Sequence, residues 1–216
     1  MDRIGCMSNV RVKICGITRV EDAVAAAQLG ADYIGLNLIA GPRKITIAQA
    51  REIAGAVKGM AQAVILTGDL TEEELAVAGI FQIYGEPPFK NFKRQPRAEV
   101  WLVAHLEEEG IAETLTVRIA SMEAIVADKK ARGQLGGTGM ALNWTKLAEA
   151  WSLLTKRGAM PKLVLAGGLT PESVGEAVRI VRPYAVDVSS GVEVAGKPGV
   201  KDAIKMRDFI QSAKGA

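Results

Sequence analysis

Short apolar runs rich in β-branched residues recur along the chain, and helix signals separate most of them. The first run, Val12-Lys13-Ile14, delivers Cys15 to a strand end marked by Gly16. Further strands are expected at 33–38, 63–66, 80–84, 100–106, 124–128, 162–166 and 185–188. Between them, helices are expected over 20–29, capped by Thr18, over 46–57, and from the acidic start Thr71-Glu72-Glu73-Glu74. A weaker helical region covers 107–122, broken by Gly110. Later helices run over 144–156, from Thr170-Pro171-Glu172 with Pro in the first turn, and over 200–212. Residues 87–96 carry no helical period. Strands alternating with helices make a parallel sheet covered by helices. Eight such units predict a (β/α)8 barrel occupying 1–216 as one domain, with 1–9 as a loose N-terminal tail. A doubly wound open sheet is the runner-up, weakened by the lack of a G-x-G-x-x-G turn after the first strand.

In a barrel of this kind ligands sit outside the carboxyl ends of the strands. Those ends here carry chemistry. Cys15 follows the first strand and Asp128 ends the sixth. A thiol at such a corner is either a base or nucleophile, or an inert core group of the kind free Cys often is. The seventh and eighth strands lead into Ala166-Gly167-Gly168 and Asp187-Val188-Ser189-Ser190-Gly191. Paired glycines let backbone N–H groups approach an anion, and Ser hydroxyls add donors. Two such loops at the corner where barrel enzymes often hold phosphate predict a phosphate cup.

The remaining composition narrows the class. No apolar run approaches the roughly 20 residues of a spanning helix, and the first seven residues lack the apolar core of a signal peptide. Two cysteines give no disulfide framework. A cytoplasmic enzyme is expected, without a membrane partner. A net charge of +3 is too mild to imply a nucleic-acid partner. The cluster Lys90, Lys93, Arg94 and Arg97, interleaved with Phe89 and Phe92, also carries Pro87, Pro88 and Pro96, and is read as a solvated connection. No metal-ligand cluster or cofactor motif occurs, so none is expected.

Several pieces, in order along the chain, resemble the phosphoribosylanthranilate isomerase family of tryptophan biosynthesis. They are Lys13-Ile14-Cys15-Gly16-Ile17-Thr18, Gly30-Ala31-Asp32, Pro42-Arg43, and Asp128 ahead of Gly136-Gly137-Thr138-Gly139. Leu165-Ala166-Gly167-Gly168-Leu169-Thr170-Pro171-Glu172, Val186 to Glu193 and Pro198-Gly199-Val200-Lys201-Asp202 complete the set. The resemblance implies an Amadori rearrangement of N-(5-phosphoribosyl)anthranilate, with Cys15 as general base and Asp128 as general acid. It places Arg43 on the anthranilate carboxylate, with Asp187 and Gly137 among the substrate-binding residues. Gly167, Gly168, Ser189, Ser190 and Gly191 would hold the phosphate. It implies no cofactor, a small phosphosugar–anthranilate substrate, and a monomer or homodimer. The N–H dipoles of the barrel mouth and Arg43 are expected to lower the Cys15 thiol from its ordinary ~8.5. Burial is expected to raise Asp128 from ~3.9.

The middle of the chain departs from the family pattern. Ile83-Tyr84-Gly85 stands where a Leu-His-Gly turn is usual, Leu36-Asn37-Leu38 replaces an aromatic pair, and Thr67-Gly68 replaces Val-Asn. These positions are expected to line or support the aromatic half of the pocket. His105, the single histidine, ends the fifth strand and is read as a supporting group. Two competing readings are a phosphate-sugar lyase such as indole-glycerol-phosphate synthase, whose strand-end catalytic Lys finds no matching motif, and a non-catalytic phosphate-binding barrel.

Overall fold

A parallel sheet of eight strands keeps two unpaired edges unless its last strand returns to its first. In the computed structural model of this chain it returns. The structure describes residues 9–68, 70–84, 98–107, 110–118, 122–129, 142–156 and 161–216. Strands β1 (Arg11–Ile14), β2 (Tyr33–Asn37), β3 (Gln62–Thr67), β4 (Ile80–Ile83), β5 (Glu99–Leu106), β6 (Ala124–Lys129), β7 (Lys162–Leu165) and β8 (Ala185–Val188) pair in chain order. β8 then lies parallel to β1, from Arg11 opposite Ala185 to Ile14 opposite Val188. The closed (β/α)8 barrel is the fold, and the open sheet is ruled out.

Helices α1 (Val20–Gln28), α2 (Ile47–Ala56), α3 (Glu72–Leu75), α4 (Ile111–Arg118), α5 (Trp144–Thr155), α6 (Val174–Val181) and α7 (Ala203–Lys214) connect the strands. Local chemistry explains most of their starts. Thr46 with Gln49, and Thr71 with Glu74, form reciprocal capping boxes for α2 and α3. Asn143 and Asp202 accept from the first-turn amides of α5 and α7.

One expected cap is replaced and two expected helix starts move. Thr18 does not cap α1: its hydroxyl donates to the Gly199 carbonyl at 2.8 Å, tying the first helix entry to the last loop. Arg19 takes the cap position, and its guanidinium grips Asp22. Thr170-Pro171-Glu172 forms a turn closed by Ser173, and α6 begins only at Val174. Residues 200–202 stay outside α7, because Lys201 pairs in an antiparallel bridge with Glu193.

The pleat sends alternate side chains to opposite faces of the barrel wall, and two apolar cores result. Ile14, Ile34, Leu36, Ile65, Phe81, Leu102 and their neighbours face the helices. Tyr33, Val64, Trp101, Val103, Val126 and Val164 fill the lumen, with Trp101 edge-on to Tyr33 at 4.9 Å between ring centroids. Towards the carboxyl ends of the strands the buried positions turn polar, with Lys13, Gln82, Asp128 and Asp187. A packed apolar floor beneath a polar layer is the arrangement that places the site at the barrel mouth. Among the described residues, no helix is long and apolar enough to cross a membrane.

Candidate active site

The pocket at the mouth gathers residues from the first and last strands and from the loops between. It is lined by Cys15 and Gly16 from the β1 exit, Asp128 from β6, Gly167 and Gly168 after β7, and Asp187 to Gly191 at the end of β8. Asn37, Arg43, Leu66 and Tyr84 close the other side. Sequence reasoning therefore placed Cys15, Asp128, Arg43, Asp187, Gly167, Gly168, Ser189, Ser190 and Gly191 in one cavity. Gly137, the whole Gly136-Gly137-Thr138-Gly139 loop, Gly85, the basic segment from Lys90 to Arg97 and residues 1–8 lie outside the described residues.

Cys15 is 7% exposed, and its amide donates to the Val188 carbonyl at 2.8 Å, which seats the thiol beside β8. Burial pushes the thiol above its ordinary value, and Lys13 pulls against that shift. The expected lowering is thus reversed: desolvation of the thiolate outweighs the positive charge around it. Asp128 behaves as expected. Burial, aided by the negative charge of Asp187, raises its carboxyl to about 6.

Close approach explains two of the glycines. A Cβ on Gly35 would lie 2.8 Å from the Cys15 sulfur and 3.0 Å from Lys13 Nζ, with the Cys15 backbone at 2.9 Å. Gly35→Ala must therefore displace the thiol, and we expect kcat at least ~10-fold lower with the barrel intact, since small misplacements of a catalytic group are costly. Steady-state kinetics alongside far-UV circular dichroism checks this, and an unchanged kcat would mean that the thiol position is unimportant. Gly167 is left-handed at φ +85°, and a Cβ there would meet Asp128 Oδ1 at 2.8 Å and the Lys129 amide nitrogen at 2.9 Å. A Cβ on Gly191 would run into the Leu169 carbonyl, so the loops after β7 and β8 pack backbone to backbone.

Arg43 lies over Gly16, where a Cβ would come 2.5 Å from its Cδ. Its Nε and Nη2 both donate to the Glu193 carboxylate at 2.7 Å, one to each oxygen. Glu193 also accepts from the Gly199 amide and from buried Lys201. Burial alone would raise Glu193, but the bond from Arg43 and the charge of Lys201 bring it down to about 2. A depressed carboxylate stabilises the fold fully above its unfolded value, ~4.3. That contribution is lost as pH falls through about 2. We expect Glu193→Gln to lower Tm at pH 7 and to leave Tm less dependent on pH between about 4.5 and 2, as measured by calorimetry.

The family description N-(5'-phosphoribosyl)anthranilate (PRA) isomerase matches residues 12–212 of the chain. The chain belongs to this family. It is 37% identical over 215 residues to N-(5'-phosphoribosyl)anthranilate isomerase of Pseudomonas fluorescens, covering 96% of this chain and 100% of the relative. Its fold superposes on phosphoribosyl anthranilate isomerase of Thermotoga maritima with a TM-score of 0.77 at 32% identity, covering 96% and 100%. A similar structure of a phosphoribosyl anthranilate isomerase, with a TM-score of 0.72 at 32% identity and the same coverage, is a complex with reduced 1-(o-carboxyphenylamino)-1-deoxyribulose 5-phosphate.

Against that family pattern, the departures in the middle of the chain separate into two groups. Asn37 and Tyr84 line the pocket. Asn37 spends its amide on the β2 exit loop, donating to the Ala40 carbonyl and accepting from the Ile39 amide. Tyr84 accepts at its hydroxyl from Gln82 at 3.0 Å and stands 6.1 Å from the His105 ring, between centroids. Thr67 turns away from the lumen and donates to Glu74 of α3. Sequence reasoning missed Lys13, whose ammonium is fully buried and donates to Asp187 Oδ2 at 2.9 Å. Strand parity could have found it, since it lies two residues before Cys15 and so on the same face. The Arg43–Glu193 contact carries no local signal, because the two are 150 residues apart.

Proposed function

We propose that the chain isomerises N-(5-phosphoribosyl)anthranilate to 1-(2-carboxyphenylamino)-1-deoxyribulose 5-phosphate, with Cys15 as general base and Asp128 as general acid. The isomerase role in tryptophan biosynthesis follows from family membership. The residue roles rest on one observation: a buried thiol and a carboxyl raised to about 6 face one pocket that is also lined by Gly167 and Gly168 and by Ser189, Ser190 and Gly191. Asp128, when protonated, gives its proton to the furanose ring oxygen, and the C1′–O bond opens to an iminium. The Cys15 thiolate then takes the proton from C2′, and the electron pair moves to form an enamine-type enol. Tautomerisation to the ketose moves the hydroxyl proton off oxygen and adds one at C1′. These are proton transfers only, and they need neither metal nor cofactor.

Binding divides along the same lines. Gly167, Gly168, Ser189, Ser190 and Gly191 cradle the phosphate, the N–H donors and hydroxyls matching its acceptor oxygens. Arg43 has its Nε–Nη2 edge on Glu193, so its Nη1 side is the one that meets the anthranilate carboxylate. Asp187 has one oxygen on Lys13, while Oδ1 is buried without a partner among the described residues. A ribose hydroxyl is a fitting donor to it. Gly137 is kept among the substrate-binding residues on the family resemblance alone. The 216 residues act as one barrel domain in the cytoplasm, as a monomer or homodimer, without nucleic-acid or membrane partners.

The test is direct. Purified protein should quench the anthranilate fluorescence of the substrate with turnover, and its gene should restore growth of a tryptophan auxotroph lacking this isomerase. Failure of both would leave the non-catalytic barrel.

A further inference from the structure

The acid–base mechanism uses Cys15 and Asp128 and leaves a third buried ionisable group beside them without a role. Lys13 is 0% exposed, an unusual place for an ammonium. Among the described residues its ammonium makes an ion pair with Asp187 across the β1–β8 pairing, at 2.9 Å. Lys13 and Cys15 both point into the lumen from the same strand, and both crowd the space over Gly35, where a single added carbon would touch sulfur and Nζ together. A buried ion pair is weak evidence of stabilisation, because apolar residues of similar volume often serve as well. Its retention against the thiol calls for another explanation.

We propose that Lys13 is a positioning residue for the isomerisation: its ammonium, anchored by Asp187 and packed against Cys15 above Gly35, supplies the fixed positive charge beside which the thiolate forms. This rests on Cys15 being the base. Other groups also face the thiol. Lys201 and Arg43 add positive charge from the far side. Asp187 opposes it, and Asp128 and Tyr84 share the pocket. Lys13 differs from them in lying two residues before the thiol and crowding it over Gly35, and its effect on the thiol is the largest of the opposing charges. Substrate binding strengthens the arrangement. A hydroxyl donated to the unpartnered Asp187 Oδ1 draws that negative charge away from Cys15 while Lys13 stays in place.

The experiment reads the thiol itself. In a Cys6→Ser background, which leaves Cys15 as the single cysteine, the rate of iodoacetamide alkylation is followed against pH. Lys13→Met removes the charge but strands Asp187, and it can fail to fold. Lys13→Gln keeps a donor for Asp187 and serves in its place. Either folded variant should raise the alkylation midpoint by at least one pH unit, a tenfold loss of thiolate below it, and lower kcat at pH 7 at least tenfold. Lys13→Arg, which keeps the charge, should restore most of the midpoint. A purely structural Lys13 would lower Tm and leave the midpoint where it was. An unmoved midpoint in folded Lys13→Gln, with Cys15→Ser inactive, overturns this inference alone. A fully active Cys15→Ser overturns the base assignment and this inference together.

Discussion

With the proposed roles, Cys15→Ser and Asp128→Asn should each lower kcat/KM by about 10²- to 10⁴-fold, the range of general acid–base catalysis, while the closed barrel persists. Their pH profiles separate the two roles. The productive form needs a thiolate and a protonated carboxyl, yet the thiol lies above its ordinary value and the carboxyl at about 6. Between those two values the pair holds one proton, mostly on sulfur, and a constant minority of molecules has it on Asp128 instead. The kcat/KM profile of the native enzyme is therefore a broad bell. It rises through about pH 6 as the carboxyl half of the pair titrates, and it falls on the alkaline side as the thiol half, raised by burial, titrates. Below the first limb both groups hold protons and no base exists. Above the second both have lost them and no acid exists. In Asp128→Asn the limb near 6 disappears, and the residual rate climbs with thiolate through the alkaline range. A limb at pH 6 that survives in this variant would assign it to another group.

Gly168→Asp raises KM at least ~100-fold with kcat changed far less, because it sets a carboxylate against the substrate phosphate. Charge-assisted hydrogen bonds lost to an anion are worth about 3 kcal/mol together, which corresponds to that factor. The backbone alone is not the cause: φ at Gly168 is +69°, a region that Asp tolerates better than most residues. Gly168→Asn, which matches the shape without the charge, separates the two contributions and should show the smaller effect. Competition by inorganic phosphate should weaken in parallel. An unchanged KM in Gly168→Asp would remove the phosphate from the β7–β8 loops.

How much of this was legible in the sequence depends on the range over which each feature is determined. The strands and their order were, because short apolar, β-branched runs ending at Cys15, Asp128 or Gly167 are local patterns, and eight of them alternating with helix signals predict the barrel. Helix starts were legible where the cap is local, as at Thr46 with Gln49 and Thr71 with Glu74. A cap was misread where the Gly199 carbonyl claims the Thr18 hydroxyl, and a start was misread where Lys201 pairs with Glu193. The site residues were legible as types at strand ends and by resemblance. Their electrostatics were only half legible. Burial was anticipated for Asp128, where it raises the carboxyl, but the same burial acting on Cys15 was set below the pull of nearby cations. Arg43 read as a free fork from its loop position, and only the fold brings Glu193 to one edge of it.

The pairing of β1 with β8 has a consequence for how the enzyme is made. Lys13 and Asp187 are 174 residues apart in the chain and touch only when the last strand seats against the first. A ribosome-bound chain lacking β8 has the thiol but not its neighbours on that strand, and only one of the two anion-binding loops. With the site proposed above, catalytic competence should arrive with ring closure, and turnover should report complete folding.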